Sequence, residues 1–167
     1  MTDLLLDAVV ETRLAWFFLH DSDDRFGVLP DDGGVVGQAV ETADGVCILL
    51  GDEDGSDEVR VRVRVVRDVG GSGDASGDLV FDQSLFLYGA GMVVEDGFPS
   101  TPHLLELGGP GRVNVGLFLD LTARPAAVTV VLGELVPDRS VLPPVPLREG
   151  LGRWLRSRRQ ARKSPRR

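Results

Sequence analysis

The sequence predicts an all-β fold, an antiparallel β-sandwich or jelly roll, and three observations carry that prediction. Residues 59–66 read VRVRVRVV, with Arg60, Arg62 and Arg64 between four valines. A period of two puts the valines on one face of a strand and the guanidinium groups on the other. Residues 112–121, RVNVGLFLDL, alternate in the same way, so that Val113, Val115, Leu117, Leu119 and Leu121 face together. Short apolar runs also recur roughly every 8–12 residues between Gly, Pro and Asp turns, the spacing of a sandwich.

Taken in order, residues 3–20 (DLLLDAVVETRLAWFFLH) fit two patterns. Asp3, Asp7 and Glu11 fall four apart, as on a helical face. Enrichment in Val, Trp and Phe favours a strand, strongest over 13–20. A turn over 21–24 (DSDD) closes it, and 26–29 is a short apolar piece stopped by Pro30. A weak strand is expected over 35–40, a turn at Asp44 and Gly45, and an apolar strand over 46–50. The acidic loop 51–58 joins that strand to 59–66, which predicts an antiparallel pair of the two. Residues 68–78 (DVGGSGDASGD) read as a flexible connection. Pieces at 79–81, 84–88, 92–94 and 103–107 follow, then the GGPG turn at 108–111, the alternating strand and a last strand at 126–132. The sandwich thus spans 1–136. The prolines of 137–146 make a linker, since proline has no place in a central strand. In 147–167, Leu147, Leu151, Trp154 and Leu155 fall at i, i+4, i+7 and i+8, one stripe of a short basic helix, weakened by Gly150 and Gly152 and followed by a tail that reads as disordered.

A chain of 167 residues is one domain's worth and large enough for a core without staples. The N-terminus lacks a basic leader and carries Asp3 and Asp7, and no apolar run approaches the ~20 residues of a membrane span. A cytoplasmic protein is the expectation, and the lysine-poor, Arg- and Gly-rich usage suggests a GC-rich bacterial genome. The net charge of −8 conceals a division. Residues 147–167 hold nine of the eighteen basic residues and one acid, Glu149, a local charge of +8. Residues 1–146 hold nine arginines, no lysine and 25 acids, a charge of −16. Such asymmetry speaks about partners.

Candidate partner-binding residues follow from these patterns. Arg60, Arg62 and Arg64 could meet phosphates or an acidic surface, but cross-strand pairing with the acidic body is the simpler expectation. Asp52, Asp54 and Asp57 lie in GDEDGSDE, which has the composition of a calcium loop without the EF-hand spacing, because Gly55 falls at the fourth position where the motif wants the sixth. A solvated loop is the simpler reading; a calcium site shared between loops 21–24 and 52–57 is the alternative. Trp154, Arg158, Arg159 and Arg162 suit an anionic membrane, nucleic acid or an acidic protein groove, and equally the chain's own acidic body. The two histidines, His20 and His103, have no metal-ligand spacing, and no GxSxG elbow accompanies Ser84 or Ser100. Cys47, in VCILL, reads as a small buried hydrophobe. Catalysis needs a constellation of groups and none is readable, so no enzyme activity, metal or cofactor is expected.

Four stretches, DGVCILL, VRVRVRVV, SLFLYGAGMVVEDG and LLELGGPGRVNVGLFLD, resemble in strand pattern and turns the competence protein J family, bacterial inhibitors of a DNA-entry nuclease. The resemblance spans about half the chain, from residue 46 to 121, and transfers no individual residue. It implies a non-catalytic sandwich that binds and blocks a partner protein. An acidic body suits that role, since carboxylates imitate the phosphates a nuclease expects. The expectation is therefore an acidic module docking a basic protein, as an inhibitor or immunity-type factor. The alternative is a scaffold tethered through its basic tail.

Overall fold

A computed structural model of the protein describes residues 2–12, 16–23, 35–42, 45–51, 59–68, 75–95, 102–138 and 140. Eleven strands are described: β1 (Thr2–Thr12), β2 (Trp16–Asp21), β3 (Ala39–Thr42), β4 (Gly45–Leu49), β5 (Val59–Asp68), β6 (Asp78–Leu87), β7 (Gly91–Glu95), β8 (His103–Glu106), β9 (Gly111–Asp120), β10 (Ala126–Leu132) and β11 (Val136–Pro137). They form two sheets. The first runs β1-β5-β10-β9, with β6 on the far side of β9 and β11 continuing the path of β10 along it. The second runs β3-β4-β2-β7-β8 and is antiparallel throughout. In the first sheet only β5 and β10 are parallel.

Alternation explains the core. Val61, Val63 and Val65 of β5 are fully buried, while Arg60, Arg62 and Arg64 are exposed. With Val113, Val115, Leu117 and Leu119 of β9 and Val128, Val130 and Leu132 of β10 they line the inner face of the first sheet. The second sheet answers with Phe17 and Leu19, Val46 and Ile48, Met92 and Val94, and Leu105. Each fully buried valine contributes about 1.5 kcal/mol or more.

Four sequence expectations are corrected. Residues 46–50 and 59–66 form no hairpin: β4 lies between β3 and β2, and β5 lies in the other sheet between β1 and β10. β4 is buried on both faces, which suits the middle of a sheet, whereas the arginines of β5 need carboxylates opposite them and find them on β1. The segment 3–20 divides into β1 and β2, one in each sheet. A spacing of four is even, so Asp7 and Glu11 share a strand face just as they would share a helical one. The pieces at 79–81 and 84–88 are one strand, β6, with a shift of register between Leu79 and Phe81. Pro137, placed in the linker, belongs with Val136 to β11, the two residues lying opposite Gly111 and Arg112.

Candidate partner-binding surface

The arginine row lies on the outer face of the first sheet. Glu11 stands opposite Arg60, and Arg60 Nη2 reaches its Oε1 at 2.7 Å. Arg62 stands opposite Val9 and reaches diagonally to Asp7, its Nε and Nη2 donating at 3.0 and 2.8 Å to the two carboxylate oxygens. This fork holds the Asp7 carboxyl below its ordinary range and lifts the Arg62 guanidinium above its own. Arg64, opposite Asp7, forms no hydrogen bond or ion pair with another described residue. Exposed pairs of this kind add little stability and are screened by salt. Farther along the same face, Arg112 sits 5.7 Å from the centroid of the Phe86 ring, and Phe86 packs edge-on against Tyr88 at 4.8 Å.

Asp21 organises one end of the sandwich. Its carboxylate is buried at the end of β2 and accepts N–H groups from Tyr88 and, at 3.0 and 3.2 Å, from Gly89. Asp23 N–H donates to it at 3.1 Å. Burial pushes the Asp21 carboxyl up from the usual carboxylate range, against the pull of those N–H groups. The bonds tie β2 of one sheet to the turn through which β6 of the other passes into β7. Gly89 suits this turn: an added Cβ would lie 2.8 Å from the backbone nitrogen of Asp23 and 2.6 Å from Asp21 Oδ1.

His20 Nδ1 lies 2.9 Å from Asp21 O, and its Nε2 lies 3.1 Å from Glu95 Oε1. Alternation puts His20, with Phe18, on the outer face of the second sheet and His103, with Leu105, on the inner one, so the two histidines do not meet. At the opposite end a groove of about 750 Å³ is walled by Val9, Val36, Leu50, Val59, Leu121 and Pro125, with Arg60 and Arg124 on its rim. The guanidinium of Arg124 donates to the carbonyls of Leu121 and Ala123, both at 2.9 Å. The candidates Asp52, Asp54, Asp57, Trp154, Arg158, Arg159 and Arg162 lie outside the described residues.

Sheet membership sorts the charge in a way the sequence does not display. The strands of the second sheet carry Asp21, Glu41, Glu95 and Glu106 and no arginine or lysine. Every arginine of a described strand, at positions 60, 62, 64, 67 and 112, belongs to the first sheet. Glu41 on edge strand β3 and Glu106 on edge strand β8 are exposed. The described strands of the second sheet thus carry carboxylates and no arginine or lysine, with Glu106 on the outer face at the β8 edge and Glu41 on the core-facing side at the β3 edge.

No family model and no curated protein matches the chain. Among solved structures it is similar to ComJ from Bacillus subtilis, an inhibitor of the DNA-degrading activity of NucA, with a TM-score of 0.58 and 9% identity over 81% of this chain and 99% of that one. It is also similar to a protein described as crocagin biosynthetic gene J, with a TM-score of 0.45 and 10% identity over 78% of this chain and 97% of that one. The likeness to ComJ is one of fold.

Proposed function

We propose that this chain is a non-enzymatic binding module that docks a basic protein through the carboxylates of its second sheet and blocks it. The observation that carries the reading is the charge division between the sheets. On the first sheet Arg60 and Arg62 are paired with Glu11 and Asp7 of β1, whereas Glu41 and Glu106 stand on a sheet whose described strands carry no arginine or lysine. A surface of one sign steers a partner of the other and rejects like-charged ones. A nuclease is the partner class this favours, because its phosphate-binding cleft is basic and accepts carboxylates. The fold shared with ComJ, itself an inhibitor of a DNA-degrading activity, supports that class.

The test is capture from native lysate on the immobilised full-length chain, alongside a variant with Glu41→Gln and Glu106→Gln. A stoichiometric basic protein is expected, lost at high salt and weakened in the variant, and its DNA cleavage should fall when the chain is added. Capture that ignores both the salt and the two substitutions, or no stoichiometric partner at all, refutes the reading.

A further inference from the structure

The outer face of the second sheet should be solvated if nothing lies on it, yet it holds a second apolar cluster. Trp16 and Phe18 of β2 and Cys47 of β4 are 8%, 5% and 0% exposed, with Val40 and Leu49 packed against them. Val93 of β7, on the same face, is 6% exposed. The first sheet covers the other side, and among the described residues only β2, β3 and β4 contribute to this cluster. A sheet face this dry needs a covering element, since rings at these exposures have lost nearly all contact with water.

The geometry points to the C-terminal segment 147–167 as that cover, docked in cis with Leu147, Leu151, Trp154 and Leu155 on the cluster and its basic residues against the carboxylates around it. Three observations select this occupant. The first is shape: β3, β4 and β2 side by side present a strip about 10 Å wide, and a nine-residue helix is about 13 Å long, so four apolar side chains on one stripe match five or six beneath. The second is charge: the segment carries +8, and the strands of this sheet present Glu95 and Glu106 on the same outer face and carry no arginine or lysine. The internal connections are poorer matches, for 24–34 brings three aspartates and 52–58 five acids to an already acidic sheet. The third is reach. β11 ends at Pro137, and the nine residues 138–146 span about 28 Å when extended, against about 20 Å from one sheet to the far side of the other. A basic partner would then compete with the chain's own tail. That competition rests on the function proposed above; the docking does not.

Cys47 is the only cysteine of the chain, and its thiol lies in the covered cluster, donating to Val40 O at 3.6 Å. It therefore reports the cover without any partner. The experiment measures the rate at which Ellman's reagent labels full-length protein carrying Leu151→Asp and Trp154→Asp, with circular dichroism confirming the sheet. At least a tenfold rise over the parent is expected, reversed by a synthetic peptide of residues 147–167. A rate within twofold of the parent overturns the proposal. So does a rise that the peptide fails to reverse, or one produced only by Phe26→Asp, which would give the cover to the β2–β3 connection. A variant that loses its sheet signal is replaced by Arg158→Glu, Arg159→Glu and Arg162→Glu, which leave the apolar stripe intact and should raise the rate in the same direction.

Discussion

Replacing Asp21 tests whether one buried carboxylate holds the two sheets in register at their common end. In Asp21→Ala, the N–H groups of Tyr88 and Gly89 lose their acceptor; Asp23 is exposed, so water replaces its bond. The buried Gly89 N–H left unpaired costs about 1–3 kcal/mol and the lost bond from the more exposed Tyr88 adds to it, for a loss of about 3 kcal/mol. Asp21→Asn keeps one acceptor oxygen but turns an NH2 group toward a backbone donor, a loss of about 2 kcal/mol. Urea unfolding followed by tryptophan fluorescence should show both losses with the slope unchanged. The pH dependence adds a second reading. The folded pKa of Asp21 lies above 3.8, so its stabilising contribution is complete below that pH and declines as pH rises through the folded value. The gap between the parent and Asp21→Asn should therefore narrow from pH 3.5 toward neutrality, by way of about one proton. An alanine variant within ~0.5 kcal/mol of the parent, the range of an ordinary surface change, would refute the argument.

Three further outcomes are expected. Changing Arg60, Arg62 and Arg64 together to Gln should lower stability modestly while leaving partner capture intact; the reverse pattern would make the row a binding site. Because Arg62 holds the Asp7 pKa below 3.8, that stability difference is present above pH 3.8 and should vanish as pH falls through the lowered value, as urea titrations at neutral and strongly acid pH will show. Gly91→Ala would place a Cβ 1.9 Å from Leu105 O, and β7 and β8 must part to admit it; a loss of ~3 kcal/mol or failure to fold is expected in thermal melts. Leu117→Ala empties a fully buried site on β9 and should cost about 3 kcal/mol by urea unfolding.

Much of the strand content was legible because alternation is local. In 59–66 and 112–121 each residue declares its face by parity alone, and burial follows that parity along β5 and β9. Binding residues were less legible. Arg60 and Arg62 were visible as a row, with pairing the simpler expectation, but which carboxylates answer them depends on β1 lying beside β5, nearly fifty residues away in sequence. Asp21 looked like one of several turn aspartates in DSDD. Its role comes from Tyr88 and Gly89, which no spacing rule connects to it. The outer cluster had a partial signal: WFFLH and VCILL are apolar at consecutive positions, which means burial on both faces.

By itself the sequence determined that the chain is built of strands, which side of each is apolar, and that an acidic body precedes a basic end. Those are properties of neighbouring residues and of composition, and short-range sterics and solvation suffice to set them. Only the tertiary structure decided which strands share a sheet. That choice separated β4 from β5, set β5 parallel to β10 and gathered every arginine of the described strands on one sheet. Strand pairing is settled by the packing of two whole inner faces and by the carboxylates each arginine can reach, and neither quantity exists until distant segments meet.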